Sequence, residues 1–180
     1  MADLTFESPV VNVPASAGQG AITVSDESST TKASVRAAEG TAAATALGLR
    51  FAQAEQRGEV FIARTRPDEW MIFGSADAVG STVGGLDLSG YASTVDITHS
   101  RLMFRLTGAA AADVLGKICS ADFTDSMTPD GAIVGGSVAG VSTDVIRDDV
   151  AGTRSYRLIC DRSFGQYLFE TLVDAKAEFE

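Results

Sequence analysis

The stretch Arg101-Leu102-Met103-Phe104-Arg105-Leu106-Thr107-Gly108-Ala109-Ala110-Ala111-Ala112-Asp113-Val114-Leu115-Gly116-Lys117-Ile118 changes its hydrophobic period halfway along. Residues 101–106 read as a strand, whereas Ala111, Val114, Leu115 and Ile118 fall at i, i+3, i+4 and i+7, which gathers them on one side of a helix. Thr107, whose hydroxyl can accept a backbone N–H, is the expected cap between the two. Upstream, residues 92–98 read as another strand. Downstream, an acidic loop over residues 122–130 precedes three β-rich segments at 132–138, 141–147 and 155–160. A last helix is expected from Asp161 or Ser163, with Phe164, Tyr167, Leu168, Thr171, Leu172 and Ala175 as its apolar stripe.

The first half carries a weaker version of the same order. Residues 21–25 and 32–37 have β character and flank the polar run Asp26-Glu27-Ser28-Ser29-Thr30, which suits a hairpin or two strands joined by a loop. Thr41 is placed to cap a short alanine-rich helix that Gly48 ends, glycine being favoured just past a helix. Residues 59–65 and 69–73 read as strands around the turn Arg66-Pro67-Asp68, with Val60, Ile62 and Arg64 on one face and Phe61 and Ala63 on the other. A weak helix over 75–83 runs into Gly84-Gly85. The fold class is therefore α+β, built from duplicated strand-helix-strand subdomains, with pseudo-repeats at about 21–88 and 91–180 forming a single domain. Residues 1–20 read as an extended N-terminal arm. Its Phe6, Val10, Val11 and Val13 suggest that it lies on this domain or on a neighbouring chain.

Composition narrows the function. In 180 residues, 24 acidic against 14 basic side chains give a net charge of −10, which repels a nucleic-acid duplex, so nucleic acid is excluded as the main partner. No segment approaches the roughly 20 apolar residues of a membrane-spanning helix. The acid at Asp3 stands where a signal peptide needs a basic region, so the chain is expected to be cytoplasmic. Cys119 and Cys160 lie far apart in apolar surroundings and read as reduced core residues, and a single histidine leaves no zinc set.

Catalytic chemistry finds little support. His99 is the only imidazole and lies between two strands, where it reads as a locally hydrogen-bonded turn residue rather than a general base. Gly135-Gly136-Ser137-Val138-Ala139 lacks the closing glycine of a nucleophile elbow, and Gly80-Ser81-Thr82-Val83-Gly84-Gly85 lacks the Gly-Lys-Ser/Thr ending of a phosphate loop. Asp144 lies within a strand pattern, while Asp148 and Asp149 read as solvated turn acids. Arg147, Arg154, Arg157 and Arg162 could pair with these acids or with those of a partner. In Pro67-Asp68-Glu69-Trp70, the proline sets a turn and the only tryptophan anchors a core, or failing that an interface.

These motifs together resemble one family. Ser8-Pro9-Val10, Ser34-Val35-Arg36, Ala46-Leu47-Gly48-Leu49 and Pro67-Asp68-Glu69-Trp70-Met71 are similar to its Ser-Pro-Leu, strand, "LGL" and "PDEWL" stretches. Further on, Val95-Asp96-Ile97-Thr98-His99-Ser100-Arg101, Leu106-Thr107-Gly108-Ala109, Asp113 to Ser120, and Arg162-Ser163-Phe164 with Tyr167-Leu168 resemble its later motifs, with Ala109 where the family has proline. The family is the gamma subunit of heterotetrameric sarcosine oxidase, a relative of the glycine-cleavage T-protein.

The resemblance implies a folate-binding-domain fold and a structural subunit with no cofactor of its own. It also implies alpha, beta and delta partner chains that carry FAD, FMN, NAD, tetrahydrofolate and zinc, in a complex that oxidises sarcosine to glycine and yields peroxide and methylene-tetrahydrofolate. On this reading Pro67, Asp68, Glu69, Trp70, Arg162, Ser163 and Tyr167 are interface or structural residues, and no residue is catalytic. Against the T-protein's paired aspartates, Thr143 stands at the catalytic position and Asp144 at the second. A neutral hydroxyl cannot hold or accept the proton as a carboxylate does. The competing reading is a free-standing tetrahydrofolate-binding or one-carbon transfer protein, for which Asp144 is the sole candidate ligand residue.

Overall fold

The structure, a computed structural model, describes residues 6–179; the expectations for the N-terminal acid and for the first five residues of the arm lie outside the described residues. The elements run β1 (Thr23–Asp26), β2 (Thr31–Ala37), α1 (Ala42–Leu47), β3 (Ala54–Arg57), β4 (Val60–Arg66), β5 (Glu69–Gly74) and α2 (Ala76–Gly84). They continue with β6 (Ala92–Asp96), β7 (Arg101–Thr107), α3 (Ala111–Ile118), β8 (Ile133–Val138), β9 (Val141–Arg147), β10 (Ser155–Asp161) and α4 (Gly165–Lys176). The same order, two strands, helix, three strands, helix, thus occurs twice.

Strand alternation builds the layers. Val60 and Ile62 of β4 join Trp70 and Ile72 of β5 on one face and pack against Ala43 and Leu47 of α1 and Val79 of α2. Phe61, Ala63, Met71 and Phe73 point the other way and meet Met103, Ile133, Ile146 and Ile159 of the second sheet. Beyond that sheet, Phe104, Leu106, Tyr156 and Leu158 face Val114 and Leu115 of α3 and Leu168, Phe169 and Leu172 of α4. The result is two sheets back to back between two helical layers.

Both sheets are antiparallel and five-stranded, in the orders β1-β7-β10-β9-β8 and β6-β2-β5-β4-β3. Each half therefore contributes its first strand to the sheet of the other half. A matching pair of turns fixes the exchange. Asp26 accepts the N–H of Ser28 (2.9 Å), and the Ser28 hydroxyl accepts from Met103 N (3.1 Å) and donates to Met103 O (3.4 Å). In the other half Asp96 accepts the N–H of Thr98 (2.8 Å), whose hydroxyl accepts from Lys32 N (2.9 Å) and donates to Lys32 O (3.3 Å). Each hydroxyl satisfies the buried backbone groups of the strand it crosses, which an apolar residue there would leave unpaired.

One open choice closes and three sequence expectations change. Residues 21–25 and 32–37 are two strands joined by a loop rather than a hairpin, because β1 and β2 belong to different sheets. Strand β3 was not foreseen; its Glu55, Gln56 and Arg57 are exposed on an edge and carry no alternation. Thr107 does not cap α3: it closes β7, its hydroxyl lies 2.9 Å from that of Ser155, and the helix starts after Ala110 without a side-chain cap. Gly108, at φ +152°, displaces the helix start, because its backbone runs so close to Ala21 that a Cβ would come within 2.6 Å of Ala21 O. Finally, Asp161 caps a 3₁₀ turn over Arg162–Phe164 before α4 begins, which rotates the buried face. Leu168, Leu172 and Ala175 face inward as expected, joined by Phe169 and Val173, while Phe164 and Tyr167 are 44% and 53% exposed.

The described part of the arm lies on this chain. Val10 and Ala17 enter the core beside α4, Lys176 donates to Gln19 O and Ile22 O (2.8 Å each), and Val11 and Val13 face outward. Among the described residues, no helix is long and apolar enough to cross a membrane.

Candidate functional site

Where the end of β4 meets β8 and β9, the two sheets part around a hollow of about 580 Å³. A register shift between Ala63 and Arg66 breaks the β4–β5 ladder, and such a bulge re-aims the side chains that follow it. Arg66 thereby reaches across to the other sheet and donates from Nη1 to Asp144 Oδ1 at 2.9 Å. Gly135 stands opposite Asp144 on β8, where even a Cβ would meet the same carboxylate oxygen only at an ordinary 3.5 Å. Phe51, 55% exposed, Ser137 and Ser142 complete the rim.

Asp144 is the only carboxylate lining the hollow among the described residues, and its side chain is 9% exposed. Its hydrogen bond holds the Arg66 guanidinium proton more firmly than usual. The carboxylate is thus already engaged by a cation of its own chain. Thr143 cannot take its place. Strand alternation turns it away from Asp144, and its hydroxyl donates to Val141 O at 3.0 Å beside the Cys160 thiol, which burial pushes up to about 12. Thr65 Oγ1, also on the wall, is buried without a hydrogen-bond partner among the described residues.

The other residues singled out in the sequence lie elsewhere. Trp70 is 1% exposed and belongs to the core: its indole donates to Gly48 O at 2.7 Å and Arg64 stacks on it at 4.6 Å. The Pro67 carbonyl accepts from Arg64, and the Asp68 carbonyl accepts the N–H of Ala37, so this turn is held through its backbone. Glu69 accepts from Ser34 at 2.7 Å. Arg162, Ser163 and Tyr167 sit on the opposite sheet's helical layer. Arg162 donates to Glu7 O and covers the Phe6 ring at 5.2 Å, Ser163 donates its N–H (2.9 Å) and hydroxyl (2.7 Å) to the Asp161 carboxylate, and Tyr167 donates to Ala139 O at 2.9 Å. His99 is exposed in its turn, its ring 5.6 Å from Phe6.

Asp148 and Asp149 are not simply solvated. Asp148 bridges Arg105 (2.8 Å) and Arg157 (2.7 Å), and Arg105 also reaches Glu27 at 2.7 Å. Asp149 and Asp125 flank Arg147 at 2.9 and 2.5 Å, which holds both carboxylates below their ordinary range. Arg105, Glu27 and Asp125 carried no sequence signal, because these partners come together only through strand pairing. Among the described residues, no group of three or more His, Cys, Asp or Glu side chains is placed to hold a metal ion.

The sarcosine oxidase gamma subunit family matches residues 30–178. The gamma subunit of sarcosine oxidase from Corynebacterium sp. (strain U-96) is 30% identical over 173 residues, covering 91% of this chain and 83% of that one. Among solved structures, a chain of the heterotetrameric sarcosine oxidase from Corynebacterium sp. U-96, in complex with pyrrole 2-carboxylate, superimposes with a TM-score of 0.78 at 24% identity. It covers 92% of this chain and 89% of that chain. The glycine cleavage system aminomethyltransferase T from Bartonella henselae shares the fold with a TM-score of 0.66 at 13% identity, over 86% of this chain and 46% of that one.

Proposed function

Because the chain belongs to the sarcosine oxidase gamma subunit family, we propose that it serves as a small, non-catalytic, structural subunit of a heterotetrameric, flavin-dependent sarcosine oxidase. Its partners in this reading are the alpha, beta and delta chains, which carry FAD, FMN, NAD, tetrahydrofolate and zinc, and the assembly is cytoplasmic. Residues 21–180 act as one domain of two repeats, with residues 1–20 as its arm. Pro67, Asp68, Glu69 and Trp70 maintain the first sheet, while Arg162, Ser163 and Tyr167 hold the arm and the start of α4.

One observation carries the non-catalytic part: the hollow's only carboxylate among the described residues, Asp144, is already bound by Arg66. The free-standing folate reading needs that carboxylate open to a ligand, and is not favoured. Isothermal titration of the isolated chain with tetrahydrofolate tests this. No heat of binding up to millimolar ligand is expected; saturable micromolar binding abolished by Asp144→Ala would overturn it.

A further inference from the structure

The duplicated architecture provides an internal comparison. Asp96 of β6 stands opposite Ala33 on β2 as Asp26 of β1 stands opposite Phe104 on β7, so β6 and α2 are the counterparts of β1 and α4. On the β1 side the surface between strand and helix is closed. Ile22 and Val24 are buried there, and Val10 and Ala17 of the N-terminal segment enter the same core. Pro9 sits over Gly165, where a Cβ would come within 2.5 Å of it, and the Gln166 side chain clasps the backbone of Val11 and Asn12 at 2.8 and 3.1 Å.

On the β6 side the corresponding surface is open. Helix α2 has nine residues against twelve in α4, and a groove of about 350 Å³ remains beside it. Val79, Gly80 and Val83 form one wall, and Thr94 and Asp96, opposite Val35 and Ala33 on the α2 face of the sheet, the other. Outside its own helix backbone and chain neighbours, no described atom lies within 4 Å of a Cβ built on Gly80. Among the described residues, strand β6 is also a sheet edge with β2 as its only neighbour, which leaves the other side of its backbone open to pairing.

The charge around the groove has one sign. Asp96 lines it, and Asp77 and Asp87 are exposed at the two ends of α2. Lys32, the one cation on its wall among the described residues, is fully buried and directs its ammonium to Ser28 O and Thr30 O, 2.7 Å away.

We propose that the groove between α2 and β6 is the docking site for an extended segment of another chain of the oxidase assembly. That segment presents apolar side chains to Ala76, Val79 and Val83, and Lys or Arg beside them to Asp77, Asp87 and Asp96. It lies along β6 much as this chain's own residues 9–17 lie along α4, a form of recognition in which edge pairing adds affinity and side-chain pockets add specificity. The acidic rim selects against acidic segments, such as another copy of this chain's arm.

This inference rests on the subunit reading, and its test separates the two. The assembly is purified with a photo-cross-linking benzoylphenylalanine in place of Thr94, irradiated and sequenced by mass spectrometry. A cross-link to one extended stretch of a partner chain, containing apolar residues flanked by Lys or Arg, is the expected result. Gly80→Arg, whose Cβ meets no neighbour outside its own helix and which sets bulk and a positive charge against the Lys or Arg of the segment, is expected to weaken partner binding at least tenfold while the melting temperature of the isolated chain does not fall. Gly80→Ala is the control that retains binding. Intact assembly with no cross-link, with a cross-link to an acidic surface, or with undiminished binding of Gly80→Arg would overturn the groove proposal and leave the subunit reading standing. Failure of the unmodified chain to join any assembly would overturn both.

Discussion

Arg66, at the end of β4, and Asp144, in the middle of β9, are 78 residues apart in the chain and 2.9 Å apart in the fold, and their ion pair spans the hollow between the two sheets. The two partners are unequally exposed, the arginine side chain 48% and the aspartate 9%, so removing one is not equivalent to removing the other. Arg66→Ala strands a nearly buried carboxylate and is expected to cost about 1–3 kcal/mol in urea unfolding. Asp144→Asn leaves a guanidinium that water can reach and is expected to cost under about 1 kcal/mol. Sarcosine-dependent peroxide formation by an assembly carrying Asp144→Asn should match that of the unmodified one, whereas a loss of turnover in the intact assembly would restore a catalytic role to Asp144.

Trp70 is the single tryptophan and is fully enclosed, so its fluorescence reports on the first sheet alone. Emission is expected at short wavelength in the folded chain, with a red shift on unfolding. Trp70→Phe should lose about 1–2 kcal/mol by leaving the Gly48 carbonyl unpaired, and Trp70→Ala about 3–5 kcal/mol from the cavity. A native chain that emits as exposed indole would contradict the core assignment.

The arm's attachment is local and can be cut locally. Gln166→Ala removes the side chain that bonds Val11 and Asn12, and Gly165→Ala places a Cβ against Pro9. Both variants should speed hydrogen exchange at the amides of Val11 and Asn12 by tenfold or more while β9 and β10 keep their protection. Uniform loss of protection would show instead that the arm is inseparable from the core.

Lys32 gives the fold an alkaline signature. Burial lowers its pKa from 10.5 to about 8, so between those values the unfolded chain binds more protons than the folded one, and stability rises with pH. Cys160 acts in the opposite sense: its buried thiol stays protonated up to about 12, so stability falls as pH rises above its ordinary value of 9.0. The clean window is therefore pH 8 to 9. Urea midpoints there should show a gain of up to about 1 kcal/mol per pH unit for the unmodified chain. Lys32→Met, which copies the residue at the equivalent position of the second half, should remove the slope. A slope that persists in that variant would assign the titration to another group.

Much of this architecture was legible in the sequence because local physics decides it. Thr41 caps α1 by accepting from Ala44 N, and the alternation of Val60, Phe61, Ile62 and Ala63 sorts them between the two faces of the first sheet. The order of elements in the second half followed from period alone. Strand exchange did not, because β1 and β6 carry no mark of which sheet they will join; the paired Asp26–Ser28 and Asp96–Thr98 turns are the available hint, and they emerge only when the halves are aligned. The candidate site divides similarly. Asp144 was found as a strand carboxylate, and its orientation opposite to Thr143 follows from alternation, but the Arg66 partner depends on a bulge in β4 and on packing between sheets. Phe164 and Tyr167 fell on the wrong side of α4 because the 3₁₀ turn before it shifts the helical phase.

The most direct test of the subunit reading is to isolate the tagged chain from its native cell and record the masses and the flavin absorbance of what accompanies it. Large flavin-bearing chains in fixed stoichiometry, producing peroxide from sarcosine, are the predicted result. A colourless chain that elutes alone and binds tetrahydrofolate would contradict it.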